Sequence, residues 1–130
     1  MYEALCEDTC SFGVNEESAL AQKDKIQLQN LDGRMVLCRS YQYMEVPFEE
    51  MLKDSGAKLQ TLHTEYNLES MAQAKFNNSM LVFHSHWKNC YSHILKVLPS
   101  DIRDGSVGAA MRKEDRERMK NLVAELEKAV

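Results

Sequence analysis

Between positions 48 and 97 this chain sets a residue of one kind at alternating steps of three and four. The track reads Phe48, Leu52, Ser55, Leu59, Leu62, Tyr66, Glu69, Gln73, Phe76, Met80, Phe83, Trp87, Cys90, Ile94 and Val97, and only Ser55, Glu69 and Gln73 on it are polar. A seven-residue repeat held that long places one stripe along a single side of a helix, and such a stripe needs a surface to cover it. The track therefore predicts a mainly α fold: a helical hairpin or bundle built on a long heptad-patterned segment over residues 48–98.

Two readings of that segment stay open. Pro47 suits the first position of a helix, where its missing N–H would be unsatisfied anyway, and Pro99 suits the stop. An uninterrupted helix of that length would measure roughly 75 Å at 1.5 Å per residue. The track turns polar at Glu69 and Gln73, and Asn67, Ser70, Asn77, Asn78 and Ser79 gather around them. The chain either folds back there as an αα-hairpin, or continues through a polar layer that sets register. Beyond the gap Leu81, Val82, Tyr91, Leu95 and Leu98 widen the apolar face, which fits a bundle core better than a narrow two-stranded seam.

The flanks are weaker. Asn15-Glu16-Glu17-Ser18 resembles a helix start and predicts a short helix over 16–23. Ile26 and Leu28 alternate with Gln27 and Gln29, Asp32-Gly33 interrupts, and residues 34–43 are rich in β-formers. That pattern favours a small β-hairpin, against one helix over 16–31 ending at Gly33. Residues 99–110, with Pro99, Gly105 and Gly108, read as a linker. The C-terminal segment, 111–130, reads as a last helix with Met119, Leu122, Val123 and Leu126 on one side, and Glu114 and Arg118 at the favourable i,i+4 spacing. At 130 residues the whole is one domain, 1–130, with 1–46 as its acidic N-terminal segment.

Charge narrows the function classes. The net charge is −4, and residues 1–45 hold four basic against eight acidic side chains, so the excess sits there. The footprint of a general nucleic-acid binder and that of a polybasic membrane anchor are both missing. No stretch nears the roughly 18 consecutive apolar residues of a membrane span. The first residues lack the apolar core of a secretory signal, so the four cysteines are read as reduced thiols in a cytoplasmic or nuclear protein.

The sharpest chemistry lies at His84-Ser85-His86-Trp87-Lys88-Asn89-Cys90-Tyr91-Ser92-His93. On a helix His86, Cys90 and His93 share one stripe, and imidazole with thiolate suits zinc or copper, with Cys6 and Cys10 available to complete a site. The spacing matches no established zinc signature, however, and no HExxH glutamate accompanies it. The blander reading makes His63, His84, His86 and His93 half-buried residues flanking the seam; four such histidines would also render assembly sensitive to pH. Cys90 with His93 makes no complete nucleophilic centre, because no oxyanion site stands near them. Gly105-Ser106-Val107-Gly108 before Arg112 and Lys113 lacks the P-loop pattern. The basic run Arg112, Lys113, Arg116, Arg118, Lys120 is threaded by Glu114, Asp115 and Glu117, as on a solvated helix face.

Together these features predict a non-enzymatic helical module for protein–protein contact, a homo-oligomer or one subunit of a complex. Its anchors would be Phe76, Met80, Phe83, Trp87 and Ile94. No catalytic residue, cofactor or metal site is assigned. The alternative is a metal-binding or redox-responsive protein using the His/Cys cluster at 84–93.

Overall fold

Met80-Leu81-Val82-Phe83 is a continuous apolar run ahead of His84, and all four of its residues are buried. Such a run satisfies a strand covered on both faces as well as it satisfies a helix. In the computed structural model, which describes residues 2–39, 48–63 and 66–129, it forms a central strand. The described strands are β1 (Tyr2–Val14), β2 (Met35–Arg39), β3 (Lys58–Leu62), β4 (Met80–His84) and β5 (Lys96–Ala110). They make one sheet in the order β3-β2-β4-β1-β5. β2 runs parallel to both β3 and β4, whereas β1 is antiparallel to its neighbours β4 and β5.

Short helices cover the two faces. α1 (Phe48–Leu52) and α2 (Leu68–Phe76) flank β3, α3 (Lys88–Tyr91) follows a 3-10 turn after β4, and α4 (Arg116–Ala129) closes the chain. One core unites Cys10, Phe12, Val36, Cys38, Met80 and Val82 of the sheet with Phe48 and Leu52 of α1. The other unites Leu37, Leu81 and Phe83 with Ala74 of α2 and with Leu95, and Tyr66, Met71 and Tyr91 pack against it. Period-two alternation along each strand sends neighbouring residues to opposite cores. That is why Val36 and Leu37, or Val82 and Phe83, serve different layers.

Local chemistry sets the breaks. Asn67 accepts from the Ser70 amide at 3.0 Å while the Ser70 hydroxyl caps the Asn67 amide at 2.9 Å, a reciprocal cap that starts α2. Asn78 turns the chain into β4 with φ at 56°. Gly56 has φ at 77°, where side chains are strained, and a Cβ there would press on the Asp32 carboxylate at 2.2 Å, so the turn that feeds β3 favours glycine.

The mainly α expectation is thus wrong, and the fold is mixed α/β. Residues 48–98 are neither one helix nor a helical hairpin or bundle: they hold α1, β3, α2, β4, α3 and the start of β5. Short alternating elements, each with one buried side, repeat an apolar residue every three or four positions and imitate a heptad. No coiled-coil seam exists among the described residues. The N-terminal β-hairpin is also corrected, because Leu28–Leu31 is a 3-10 turn and β2 pairs in parallel with β3 and β4. The short helix expected over 16–23 is a single 3-10 turn, Ala19–Gln22. Residues 99–110 belong to β5 rather than to a linker. Pro47, expected to open a helix, and residues 40–43 of the β-rich run lie outside the described residues.

Of the expected anchors, Met80 and Phe83 are buried, but Phe76 is 80% and Trp87 58% exposed. Trp87→Ala is therefore expected to change unfolding free energy by no more than about 0.5 kcal/mol. Phe83→Ala should cost about 3–5 kcal/mol, both read by urea denaturation. Burial, reinforced by the Glu49 carboxylate, pushes the Cys38 thiol up to about 12. The unfolded chain ionises this thiol near its ordinary value while the folded chain keeps it neutral, so stability is lost as pH rises from about 9 toward about 12. The stability advantage of the wild type over Cys38→Ala should accordingly shrink between pH 7 and 11.

Candidate functional site

The ladder between β2 and β4 runs from Val36 with Met80 to Leu37 with Leu81, and beyond those pairs it ends. Tyr66 fills the opening. Its hydroxyl lies 3.0 Å from the Leu37 carbonyl and 2.5 Å from that of Val82, and it accepts from the Arg39 amide at 3.1 Å. The chain leaves β2 toward α1 on one face and leaves β4 toward α3 on the other, as their membership of the two cores shows. Adjacent parallel strands whose connections diverge in this way leave a crevice at their carboxyl ends.

A polar cluster stands beside that edge, built from β1 and the turn after β4. Cys10 is paired with His84 in the ladder, which brings Asp8 and Thr9 level with Ser85 and His86. Asp8 is buried, with 5% of its surface exposed. Its Oδ1 is 2.9 Å from His86 Nδ1 and its Oδ2 3.3 Å from His84 Nδ1, and the Thr9 amide donates to Oδ1 at 2.9 Å. A carboxylate buried to this degree requires such donors, since an unpaired charge there would be costly. Phe48 of α1 packs its ring on His84, centroids 5.1 Å apart, and holds that imidazole against the carboxylate.

On the other side of the strand three hydroxyls meet. Ser85 donates to the Thr9 carbonyl at 2.7 Å, and its oxygen lies 3.0 Å from Thr9 Oγ1 and 2.8 Å from Ser11 Oγ. With its single proton used on the carbonyl, Ser85 accepts from both neighbours. The solvent-reached rim of the cluster is Thr9, His84, Ser85 and His86; Asp8 and Ser11 lie beneath it.

The sequence-predicted site is dismantled and partly rebuilt. His86, Cys90 and His93 do not share a helix face, because His86 sits in the 3-10 turn, Cys90 in the four-residue α3 and His93 in the turn after it. The partner that His86 does find is Cys6, whose Sγ is 3.6 Å from His86 Nε2. Cys6 and Asp8 thus approach opposite nitrogens of one imidazole and cannot ligate a common ion. Among the described residues no group of three or more His, Cys, Asp or Glu side chains is arranged to hold a metal. His63 is exposed at the end of β3, Glu69 is exposed in the first turn of α2 and Gln73 is half-buried, so the four histidines flank no seam. Sequence reasoning missed Asp8, Thr9 and Ser11 altogether. The signal was there: Cys6, Asp8, Cys10, Phe12 and Val14 sit at strand period and grow more buried toward the end of the strand.

A groove of about 460 Å³ lies apart from this cluster, between Glu3 of β1 and α4, with Met111, Arg116, Lys120 and Val123 among its walls. Arg116 Nε closes on Glu3 Oε1 at 3.0 Å across it. No described helix is long and apolar enough to cross a membrane.

No protein-family model matches the chain, and no curated protein matches it. Solved structures do. The reduced form of the OxyR regulatory domain from Pseudomonas aeruginosa superposes with a TM-score of 0.67 at 14% identity, over 100% of this chain and 66% of that one. The second substrate binding domain of an amino acid ABC transporter from Streptococcus pneumoniae gives 0.62 at 16% identity, over 98% of this chain and 60% of that one. The regulatory domain of MetR, a LysR family regulator from N. meningitidis, gives 0.58 at 15% identity, over 98% of this chain and 62% of that one. The chain thus spans about two thirds or less of the proteins it resembles. This likeness to mixed α/β domains overturns the helical interaction module expected from the heptad track. At these identities what is shared is the fold: a mixed α/β fold of the periplasmic-binding-protein type.

Proposed function

We propose that this chain is a binding domain for a small polar molecule of amino-acid size, held beside the carboxyl end of β4, at the turn that meets β1. The observation that carries the reading is the cluster of Thr9, Ser85, His84 and His86 over the buried Asp8, set at the carboxyl ends of parallel strands. Ligand sites of open α/β sheets form at such edges. The likeness to the substrate binding domain of an amino acid transporter supports the size class.

The hydrogen-bond arithmetic supports a ligand that brings an ammonium group. Ser85 consumes the protons of Thr9 and Ser11, which leaves the hydroxyl cluster with acceptor capacity. The Asp8 carboxylate adds a negative charge across the strand from it.

The test is a thermal-shift titration of the purified chain against the twenty common amino acids and their decarboxylated amines. A ligand at 100 times its dissociation constant is expected to add about 2.7 kcal/mol of stability and to raise Tm by several degrees. Ser85→Ala, which strands the Thr9 carbonyl, should lower basal stability by about 1–2 kcal/mol and reduce affinity about tenfold. A panel in which no amino acid or amine shifts Tm overturns the proposal.

A further inference from the structure

Cys6, His86 and Asp8 form a relay whose geometry is that of an activated nucleophile. In an extended strand residues i and i+2 project to the same side, roughly 6.6 Å apart. The pairing Cys6 with Val107, Glu7 with Ser106 and Asp8 with Gly105 is regular, so Cys6 and Asp8 stand on one side of β1 with that gap between them. The His86 ring fills it, with Nδ1 at 2.9 Å from Asp8 Oδ1 and Nε2 at 3.6 Å from Cys6 Sγ. Register shifts occur on either side of this stretch, between Ala4 and Cys6 and between Asp8 and Thr9. Irregularities of this kind re-aim side chains and gather beside reactive sites.

The carboxylate decides the tautomer. An ionised carboxylate only accepts, so His86 Nδ1 carries the hydrogen and, in the neutral ring, Nε2 presents a lone pair to the thiol. A nucleophile, a base within reach and a third group orienting that base is the arrangement by which enzymes activate cysteine. Cys6 is half-buried and so within reach of small reagents, whereas Cys10 and Cys38 are buried. Cys90 is exposed, and it has no base at hydrogen-bonding distance among the described residues.

We infer that Cys6 is a covalent modification site for small α,β-unsaturated carbonyl compounds, with His86 as its base and Asp8 as the positioning residue. His86 Nε2 takes the Cys6 proton as the sulfur lone pair adds to the β-carbon of the electrophile. The carbon–carbon π pair moves toward the carbonyl, and the α-carbon recovers the proton from the imidazolium. One S–C bond and one C–H bond replace one S–H bond and one π bond, no group leaves, and no oxidant is consumed. This inference shares His86 and Asp8 with the proposed ligand site, but its reaction needs no bound amino acid, so it fails or stands separately from the ligand reading.

N-Ethylmaleimide is the probe, used in limiting amount at pH 7 on the intact chain, with peptide mass mapping of all four cysteines. Cys6 is expected to label at least ten times faster than Cys90, and Cys10 and Cys38 to stay unlabelled in the folded state. His86→Gln removes the base while keeping an amide donor for Asp8. It should slow Cys6 about tenfold and leave the labelling of Cys90 unchanged. Nitrogen-15 spectra of the wild-type His86 ring should show the hydrogen on Nδ1, and Asp8→Asn should shift it toward Nε2. Equal labelling of Cys6 and Cys90, a Cys6 rate indifferent to His86→Gln, or an Nε2–H tautomer in the wild type overturns the inference.

Discussion

A buried carboxylate needs donors on every side it presents, and in this chain that demand falls on Asp8. Meeting it fixes a good deal else. Two imidazoles have to reach the carboxylate, which requires β1 to lie beside β4 with Cys10 opposite His84. His84 must stay against Asp8, and the ring of Phe48 holds it there, which ties α1 to the same point. The turn after β4 must carry His86 back over β1, and the 3-10 geometry of residues 85–87 does so while Ser85 joins β1 through the Thr9 carbonyl. Replacing the carboxylate by a neutral group would release each of these elements from a shared constraint, whereas loss of any one imidazole's donor would leave a charge underpaired.

This dependence explains why the functional edge is hard to see in the sequence. Asp8 and Cys6 stand some 76 to 80 positions from the histidines they meet, and no local spacing connects them. What is legible is hydrophobicity. Met80, Phe83, Leu52 and Phe48 announce themselves as apolar positions seeking cover, and they are buried. Their period misleads because three and four are also the steps that link one short buried element to the next. The breakers that end those elements, Gly56, Asn67 and Asn78, stand in plain view but are outweighed by the length of the track. Trp87 and Phe76 fall on the track through phase alone, and the fold leaves both in solvent.

Polar residues carry more truth locally than the periodicity does. The cluster at 84–93 stands out for its imidazoles and thiol, and three of its members, His84, Ser85 and His86, do reach the site. The error lies in assuming a helix, which puts His86 with Cys90 and His93. A strand ending at His84 followed by a tight turn puts His86 with Cys6 instead. The N-terminal stretch resists reading because charged and apolar residues alternate in it without a helical phase. That alternation is the strand signal, with Cys6 and Asp8 toward the histidines and Glu7 toward solvent.

The same imidazole geometry separates proton chemistry from metal chemistry. Donors that share an ion converge on a single point at about 2.0–2.3 Å. Cys6 and Asp8 instead sit at opposite ends of the His86 ring, where each engages a different nitrogen. A ring held between a carboxylate and a thiol connects them by passing hydrogen, since a hydrogen bond at one nitrogen fixes the role of the other. His84 takes the second carboxylate oxygen, and this keeps Asp8 from rotating toward Cys6 and bypassing the ring. The pair of histidines therefore does different work on one acid: His84 locks the carboxylate, and His86 transmits its orientation to the thiol.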